Sequence, residues 1–165
     1  MTAKQLINLI KKYQPKDIGH VLRLTGLRVK YLGSGSYRHT YNLGDVCVIK
    51  FPTTQKGQQA WSLDLAHSRS EWKMSEAIRI AKKGDKFYPL KPHTPKIIFF
   101  SYETGVIIAP KYRLLERGDR RINTLRKLVS EITGHKSDDI KYGNVGVNAN
   151  GDAVILDLGC LEHGE

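Results

Sequence analysis

Cysteine is scarce in this chain of 165 residues, in which Cys47 and Cys160 are the only two. Two cysteines cannot form the disulfide framework of a small secreted protein, and neither belongs to a Cys-X-X-Cys pair or to a Cys/His cluster with zinc spacing. The scarcity argues against both classes and favours a reducing compartment. We therefore expect a cytoplasmic protein, either of the producing cell or of its host.

Long apolar runs are also missing, since no stretch reaches the roughly eighteen residues that a membrane-spanning helix requires. The first residues enter an amphipathic pattern, which differs from the continuous apolar core of a signal peptide. We expect no association with a membrane. Hydrophobic residues make up 40% of the chain and charged residues 26%, so the composition excludes a fibrous or wholly disordered protein.

Acidic residues are outnumbered, because 16 Asp and Glu face 27 Lys and Arg, which gives a formal net charge of +11. An excess of this size favours anionic partners, namely nucleotides, nucleic acid or an acidic protein surface. Charge alone does not choose among them, because many small proteins are basic for solubility. Nucleic acid is therefore the secondary candidate.

Hydrophobic periodicity predicts a helical extension over residues 1–26, followed by an antiparallel sheet. Apolar residues recur at helical spacing over 3–14, and a second short apolar patch ends at Gly26. From there the pattern alternates, and turns rich in glycine separate the alternating runs. The pattern predicts a three-stranded meander over 27–32, 39–43 and 46–51.

After the meander, the sequence predicts a long helix and further strands. After a polar loop at 52–59, a segment without glycine or proline runs to Gly84 and predicts a helix of about twenty residues. The remaining predicted elements, in chain order, are sheet strands at 97–100 and 106–109, a basic connection at 111–121, a helix at 122–132, and a hairpin of strands 144–147 and 153–158.

These elements predict an α+β protein with a single domain over 1–165. Its larger lobe, 27–110, would hold a five-stranded antiparallel sheet and the long helix. Its smaller lobe, 111–165, would consist of one main helix and the final hairpin. We expect a ligand to bind in a cleft between these lobes.

A glycine-rich turn lies between the first two predicted strands. Glycine lets backbone N–H groups approach phosphate oxygens without a Cβ in the way. Alone the turn is a weak signal, because such turns are common in hairpins, and it is not a P-loop, since no Gly-Lys-Ser/Thr follows. Its residues are Gly33, Ser34, Gly35, Ser36 and Tyr37.

Lys50, near the end of the third predicted strand, is a second candidate. About twenty residues later the long helix carries Glu71, which would pair with Lys50 if it faced inward with Met74 and Ile78. Glu76 is its rival, because the sequence does not define which side of the helix faces the sheet. The alternative is that Lys50 is an edge lysine and the glutamate a solvated one.

A third group of candidates lies near the C-terminus. Asp139-Ile140-Lys141-Tyr142-Gly143-Asn144 is followed, after a predicted hairpin, by Asp157-Leu158-Gly159. These two runs resemble the catalytic loop and the metal-binding turn of the protein kinase superfamily. The glycine-rich turn, Lys50 and Glu71 precede them in the order that is typical of this superfamily. The resemblance extends over about residues 27–159.

The resemblance implies a minimal kinase-like fold that uses ATP and Mg²⁺. Backbone amides of the glycine-rich turn would cover the ATP phosphates, and Lys50, held by Glu71, would contact the α- and β-phosphates. Asn144 and Asp157 would hold Mg²⁺ against the phosphates.

It also implies how the substrate groups would be handled. Asp139 would orient the acceptor hydroxyl and accept its proton, and Lys141 would neutralise charge on the γ-phosphoryl group. Residues 108–112, which end at Tyr112, would form the hinge, and backbone groups near Pro110 and Lys111 would read adenine, where the proline removes one donor.

The chain departs from the family in several places. Arg38 replaces the third glycine of the turn, which removes a flexible position or adds a cation. Ser137 and Asp138 stand where His-Arg usually precedes the catalytic aspartate, so Asp138 competes with Asp139, although the spacing to Asn144 favours Asp139.

After Asp157-Leu158-Gly159 the sequence continues for six residues, so we expect neither an activation segment nor the helices of a peptide platform. In this it is similar to truncated kinase-like proteins of phages and bacterial effectors. The substrate would then be held by the basic stretch 111–121, by the N-terminal helices or by a partner.

The expected function is that of an ATP- and Mg²⁺-dependent phosphotransferase, a minimal Ser/Thr kinase whose substrate or activator is a host or partner protein. The presence of Lys50, Asp139 and Asp157 favours retained catalysis, and a small-molecule hydroxyl is a second possible acceptor. The alternative is an inactive kinase-like module that engages a protein or nucleic acid through its basic surface.

Overall fold

A computed structural model describes residues 1–34, 38–52, 57–136, 138 and 140–161, with the backbone alone for 34, 57–63, 159 and 160. In this part of the chain the protein is α+β and forms two compact units. Unit 1 comprises Met1–Arg69 and Ile97–Lys111, and unit 2 comprises Ser70–Lys96 and Tyr112–Glu165. Residues 70–96, which the predicted division assigns to the lobe of the large sheet, belong to unit 2.

Two helices, α1 (Ala3–Tyr13) and α2 (Ile18–Thr25), open unit 1 as predicted. Thr2 caps α1, because its hydroxyl accepts the Gln5 N–H at 3.2 Å while the Gln5 side chain accepts the Thr2 N–H at 2.8 Å. Gly26 ends α2 in the left-handed conformation, with φ of 65°.

The five-stranded antiparallel sheet of unit 1 is also confirmed. Its spatial order is β1-β2-β3-β5-β4, so the two later strands add to the edge of the meander formed by the first three. The strands are β1 (Val29–Ser34), β2 (Arg38–Leu43), β3 (Cys47–Pro52), β4 (Phe99–Phe100) and β5 (Ile107–Ala109).

The two faces of this sheet have different roles. Cys47, Ile49 and Phe51 alternate along β3 and pack with α1 and α2, and burying each large apolar side chain contributes about 1.5–3 kcal/mol. Lys50 lies between them on the opposite face, because successive strand residues point to opposite sides. The other fully or nearly buried members of this core are Leu6, Ile10, Val21, Leu43, Val106 and Ile108.

The long helix α3 (Gly57–Ile80) has 24 residues. It begins inside the predicted polar loop 52–59 and ends before Gly84, and the division between the units falls within it. Its buried face is polar as well as apolar. The buried residues at helical spacing are Asp64, Leu65, Ser68, Glu71, Ser75 and Ile78.

Unit 2 contains a three-stranded antiparallel sheet where the sequence predicts only a hairpin. The additional strand β6 (Arg113–Leu114) pairs with β7 (Val145–Val147), which pairs with β8 (Ala153–Ile155). The predicted connection 111–121 therefore contains a strand. It was missed because both of its side chains are exposed, so no alternating pattern marks it.

The helix α4 (Arg121–Thr133) agrees with the prediction and ends at Gly134, which has φ of 77°. Its apolar face packs with the small sheet and with a 3₁₀ helix, Tyr88–His93, that the sequence does not predict. The core of unit 2 includes Ile78, Leu90, Leu115, Ile122, Leu125, Val129, Ile140, Val145, Ile155 and Leu158. Within the described residues, every helix is too short or too polar to cross a membrane.

Candidate active site

The two candidate metal ligands lie at one end of the β7–β8 pair. A short 3₁₀ helix, Tyr142–Asn144, leads directly into β7. The Asn144 carbonyl accepts the Leu156 N–H at 2.8 Å, so these two residues face each other across the pair. Asp157 is the next residue along the chain, which brings it to the same end as Asn144.

The donor set at this end suits a hard divalent cation. Asn144 and Asp157 are both partly buried, and their side chains offer an amide oxygen and a carboxylate. Mg²⁺ is commonly held by one or two such oxygens, with phosphate and water completing its octahedron. No group of three His, Cys, Asp or Glu residues that could hold a metal is found in the described part of the chain, which leaves out Asp139. Asn144 and Asp157 thus suit a Mg²⁺ ion that also takes oxygen ligands from phosphate and water.

The segment before Asn144 is attached to α4. Ile140 is fully buried, and its carbonyl oxygen accepts a hydrogen bond from the Arg126 Nε at 2.6 Å. The Asn144 N–H donates to the Lys141 carbonyl at 2.8 Å, and the Lys141 side chain is exposed. The sequence gives no signal for the Arg126 contact, because an arginine on a helix is normally a solvated residue.

The catalytic aspartate of the prediction, Asp139, lies outside the described residues, as does Ser137. Its rival Asp138 is described and is exposed in a turn. Exposure leaves the Asp138 carboxylate in water, which is the environment of an ordinary surface aspartate.

Lys50 occupies the middle of the large sheet. It faces Thr40 on β2 and Ile107 on β5, and only 8% of its surface is exposed. The edge-lysine interpretation is therefore wrong. Arg38 lies two residues before Thr40 on the same face and is 7% exposed. This face of the sheet carries two buried cations, which is the charge that a phosphate chain requires.

The glycine-rich turn is described only at its first two residues. Gly33 has φ of 147° and follows a bulge in the β1–β2 pairing. This is a backbone conformation that favours glycine. Gly35, Ser36 and Tyr37, and the side chain of Ser34, lie outside the described part.

The two glutamates that compete on α3 have different environments. Glu71 is 1% exposed. The Glu76 carboxylate accepts hydrogen bonds from Arg79 at the surface, at 2.8 Å from Nη2 and 3.0 Å from Nε. Glu71 is thus the residue that faces inward, and its pairing with Lys50 stays a prediction.

The predicted adenine hinge, 108–112, begins within β5, with Pro110 and Lys111 in unit 1 and Tyr112 in unit 2. The Lys111 Nζ lies 3.6 Å from the exposed Asp45 carboxylate, so its side chain is turned to the β2–β3 turn. The Tyr112 hydroxyl accepts the backbone N–H of Lys96 at 3.1 Å, which fixes the direction of its ring. Neither contact involves the backbone groups that would read adenine.

No protein-family model matches this chain, and no curated protein sequence matches it either. The function is therefore argued from the residues and their placement.

Proposed function

We propose that the protein is an ATP- and Mg²⁺-dependent phosphotransferase with a protein-kinase-like fold, acting on serine or threonine hydroxyls of a protein. The observation that carries the proposal is the position of Asn144 and Asp157 at one end of the β7–β8 pair. The family pattern requires these two residues to meet there. Lys50 is consistent with the proposal, because it is buried in the central strand β3, whereas an ordinary lysine is solvated at the surface.

In the proposed reaction the acceptor oxygen forms a bond to the γ-phosphorus, and the bond from that phosphorus to the β,γ-bridging oxygen breaks. Asp139 receives the proton of the hydroxyl, and ADP leaves with the bridging oxygen. Lys50 binds the α- and β-phosphates, and Lys141 interacts with the transferred group. Asn144 and Asp157 would hold Mg²⁺, which neutralises charge on the phosphate oxygens.

The test is phosphate transfer from γ-labelled ATP in the presence of Mg²⁺, with a host lysate or a general protein acceptor. Asp157→Ala is the inactive variant, and Asp45→Ala is its matched control, since Asp45 is an exposed turn aspartate. We expect transfer by the wild type and the control, and a loss of at least about a hundredfold with Asp157→Ala.

Equal transfer by Asp157→Ala would show that this residue has no such role. If the wild type transfers no label but is stabilised by ATP with Mg²⁺, the protein binds nucleotide without turnover. Absence of both transfer and stabilisation would overturn the proposal.

A further inference from the structure

A strongly basic segment, residues 82–96, connects α3 to β4. It contains five lysines and one carboxylate, that of Asp85. This carboxylate accepts the backbone N–H of Lys82 at 2.6 Å and so stabilises the local turn. The lysines are all exposed, and none of them forms an ion pair with a residue that the structure describes. They are Lys82, Lys83, Lys86, Lys91 and Lys96.

The segment is attached to the rest of unit 2 by a buried side chain and by hydrogen bonds. Leu90 is fully buried in the core, and the His93 Nδ1 lies 2.7 Å from the carbonyl oxygen of Ala153 in β8. The Lys96 N–H donates to the Tyr112 hydroxyl. Three prolines further restrict its backbone. A ligand that binds these lysines would thus order little additional backbone, which favours binding.

Two aromatic residues, Phe87 and Tyr88, lie between lysines in this segment. Tyr88 is 39% exposed, and the Lys91 Nζ lies 5.5 Å from the centre of its ring. The Lys86 Nζ lies 5.6 Å from the centre of the Phe87 ring, which packs against the core. Ammonium groups beside an accessible ring can bind phosphates while a base stacks on the ring.

A second basic stretch reaches the same part of unit 2. The Arg121 Nη1 donates to the Gly151 carbonyl at 2.6 Å in the β7–β8 turn, and β8 also contacts the basic segment through His93. Arg117 and Arg120, just before α4, are exposed, and neither forms an ion pair with a described residue. Two basic stretches that are distant in sequence therefore both contact the β7–β8 hairpin.

We propose that this basic surface, formed by residues 82–96 with Arg117 and Arg120, binds single-stranded nucleic acid. The lysines and arginines supply the phosphate contacts, and Tyr88 supplies the stacking position. Charge alone would suit an acidic protein equally well, and the exposed Tyr88 ring, on which a base can stack among the ammonium groups, favours nucleic acid. Paired bases of a duplex are closed to such stacking, so a single strand is favoured. The proposal does not depend on phosphoryl transfer.

The test is fluorescence anisotropy with a labelled oligothymidylate of about 16 nucleotides, at about 50 mM and about 200 mM salt. The charge variant is Lys86→Gln/Lys91→Gln, and the stacking variant is Tyr88→Ala. Lys4→Gln/Lys12→Gln is the matched control, because it removes two exposed lysines of α1, one of them 5.1 Å from the Tyr13 ring. Melting temperatures verify that each variant is folded.

We expect the charge variant to bind at least about tenfold more weakly and to lose about one unit of salt slope. Tyr88→Ala is expected to lose about tenfold in affinity at unchanged salt slope. The control should retain affinity, and Asp157→Ala should bind like the wild type, which separates this proposal from the proposed kinase activity.

Equal losses in the charge variant and the control would show unspecific attraction to the whole chain and overturn the proposal. Unchanged binding by Tyr88→Ala, together with equally strong competition by polyglutamate, would instead assign the surface to an acidic protein. Tighter binding of a duplex than of the single strand would also contradict it.

Discussion

The Nε of Arg126 donates a hydrogen bond to the carbonyl oxygen of Ile140 at a distance of 2.6 Å. The contact attaches the segment before Lys141 and Asn144 to α4, which is itself fixed by its apolar face. Ile140 is fully buried, so little water is available to replace the donor if the guanidinium is removed. We therefore expect Arg126 to act as a positioning residue for the proposed catalytic segment.

Replacing Arg126 by alanine should lower kcat by about tenfold or more, with a smaller change in KM for ATP. A hydrogen bond from a charged group to a buried carbonyl contributes about 1.5–3 kcal/mol, so the free energy of unfolding should also fall. Arg126→Lys should recover part of kcat. A loss of stability alone would not lower kcat while changing KM for ATP by a smaller factor. Lys127→Ala is the control, since Lys127 is exposed on the same helix. An unchanged kcat in Arg126→Ala would contradict the positioning role.

Asp139 and Asp138 should differ sharply in kinetics. Removal of a catalytic carboxylate reduces transfer by about 10²–10⁴-fold, so Asp139→Asn should lose most activity. Asp138→Asn should stay within about threefold of the wild type, because the Asp138 side chain is exposed to water. Single-turnover rates at saturating ATP make the comparison. A larger loss in Asp138→Asn than in Asp139→Asn would mean that the catalytic aspartate is wrongly assigned from its spacing to Asn144.

Glu71 and Glu76 provide a matched pair on α3. Glu71→Gln removes the charge of a residue that is 1% exposed, and we expect transfer to fall by about tenfold or more. Glu76→Gln breaks only a surface contact with Arg79 and should leave transfer unchanged. Rates with both variants at fixed ATP and Mg²⁺ test this. Comparable losses would remove the reason for preferring Glu71.

The choice between these glutamates could not be predicted from the sequence for a physical reason. A helix usually reveals its inner face by apolar residues, but the inner face of α3 carries Asp64, Ser68, Glu71 and Ser75. The prediction succeeded where the inner face of a helix is apolar. Both ends of α1 and of α4 were predicted to within one residue.

The sequence does not predict elements whose side chains show no clear hydrophobic periodicity. The strand β6 exposes both of its side chains and is defined only by its backbone pairing with β7. The 3₁₀ helix Tyr88–His93 contains two prolines, which in sequence indicate a loop. The Arg126 contact likewise depends on a carbonyl oxygen, for which side-chain identity gives no signal. In contrast, the expectation that Asn144 and Asp157 lie at neighbouring strand ends follows from the hairpin, and the structure has both residues at one end of the β7–β8 pair.

Cys47 should be unreactive in the folded protein. It is fully buried, and burial raises the pKa of its thiol from 9.0 to about 11. In a Cys160→Ser background, labelling of Cys47 by a thiol reagent at neutral pH should therefore follow the unfolding rate. The folded state also holds this proton more tightly than the unfolded chain, so stability should fall as the pH rises from about 9 to about 11. Rapid labelling under native conditions would show that the thiol is accessible.

Gly146 in β7 leaves no room for a side chain. A Cβ there would lie 2.6 Å from the Tyr112 Cβ and 3.2 Å from both the Arg113 carbonyl oxygen and the Leu156 side chain. Because two of these three neighbours are a backbone atom and a Cβ, Gly146→Ala must shift β6 away from β7. We expect it to destabilise the protein by about 2 kcal/mol, with a melting temperature lower by about 5 °C.

Gly143, three residues earlier, is the matched control for that substitution. Among the residues that the structure describes, none but its chain neighbours has an atom within 4 Å of the position that its Cβ would take, and Gly143→Ala should therefore leave the melting temperature nearly unchanged. Since Tyr112 is the last residue of the predicted hinge, Gly146→Ala should also raise KM for ATP, an effect that destabilisation alone would not produce below the unfolding temperature. If Gly146→Ala melted like the wild type, the close approach of β6 and β7 at Tyr112 would be disproved.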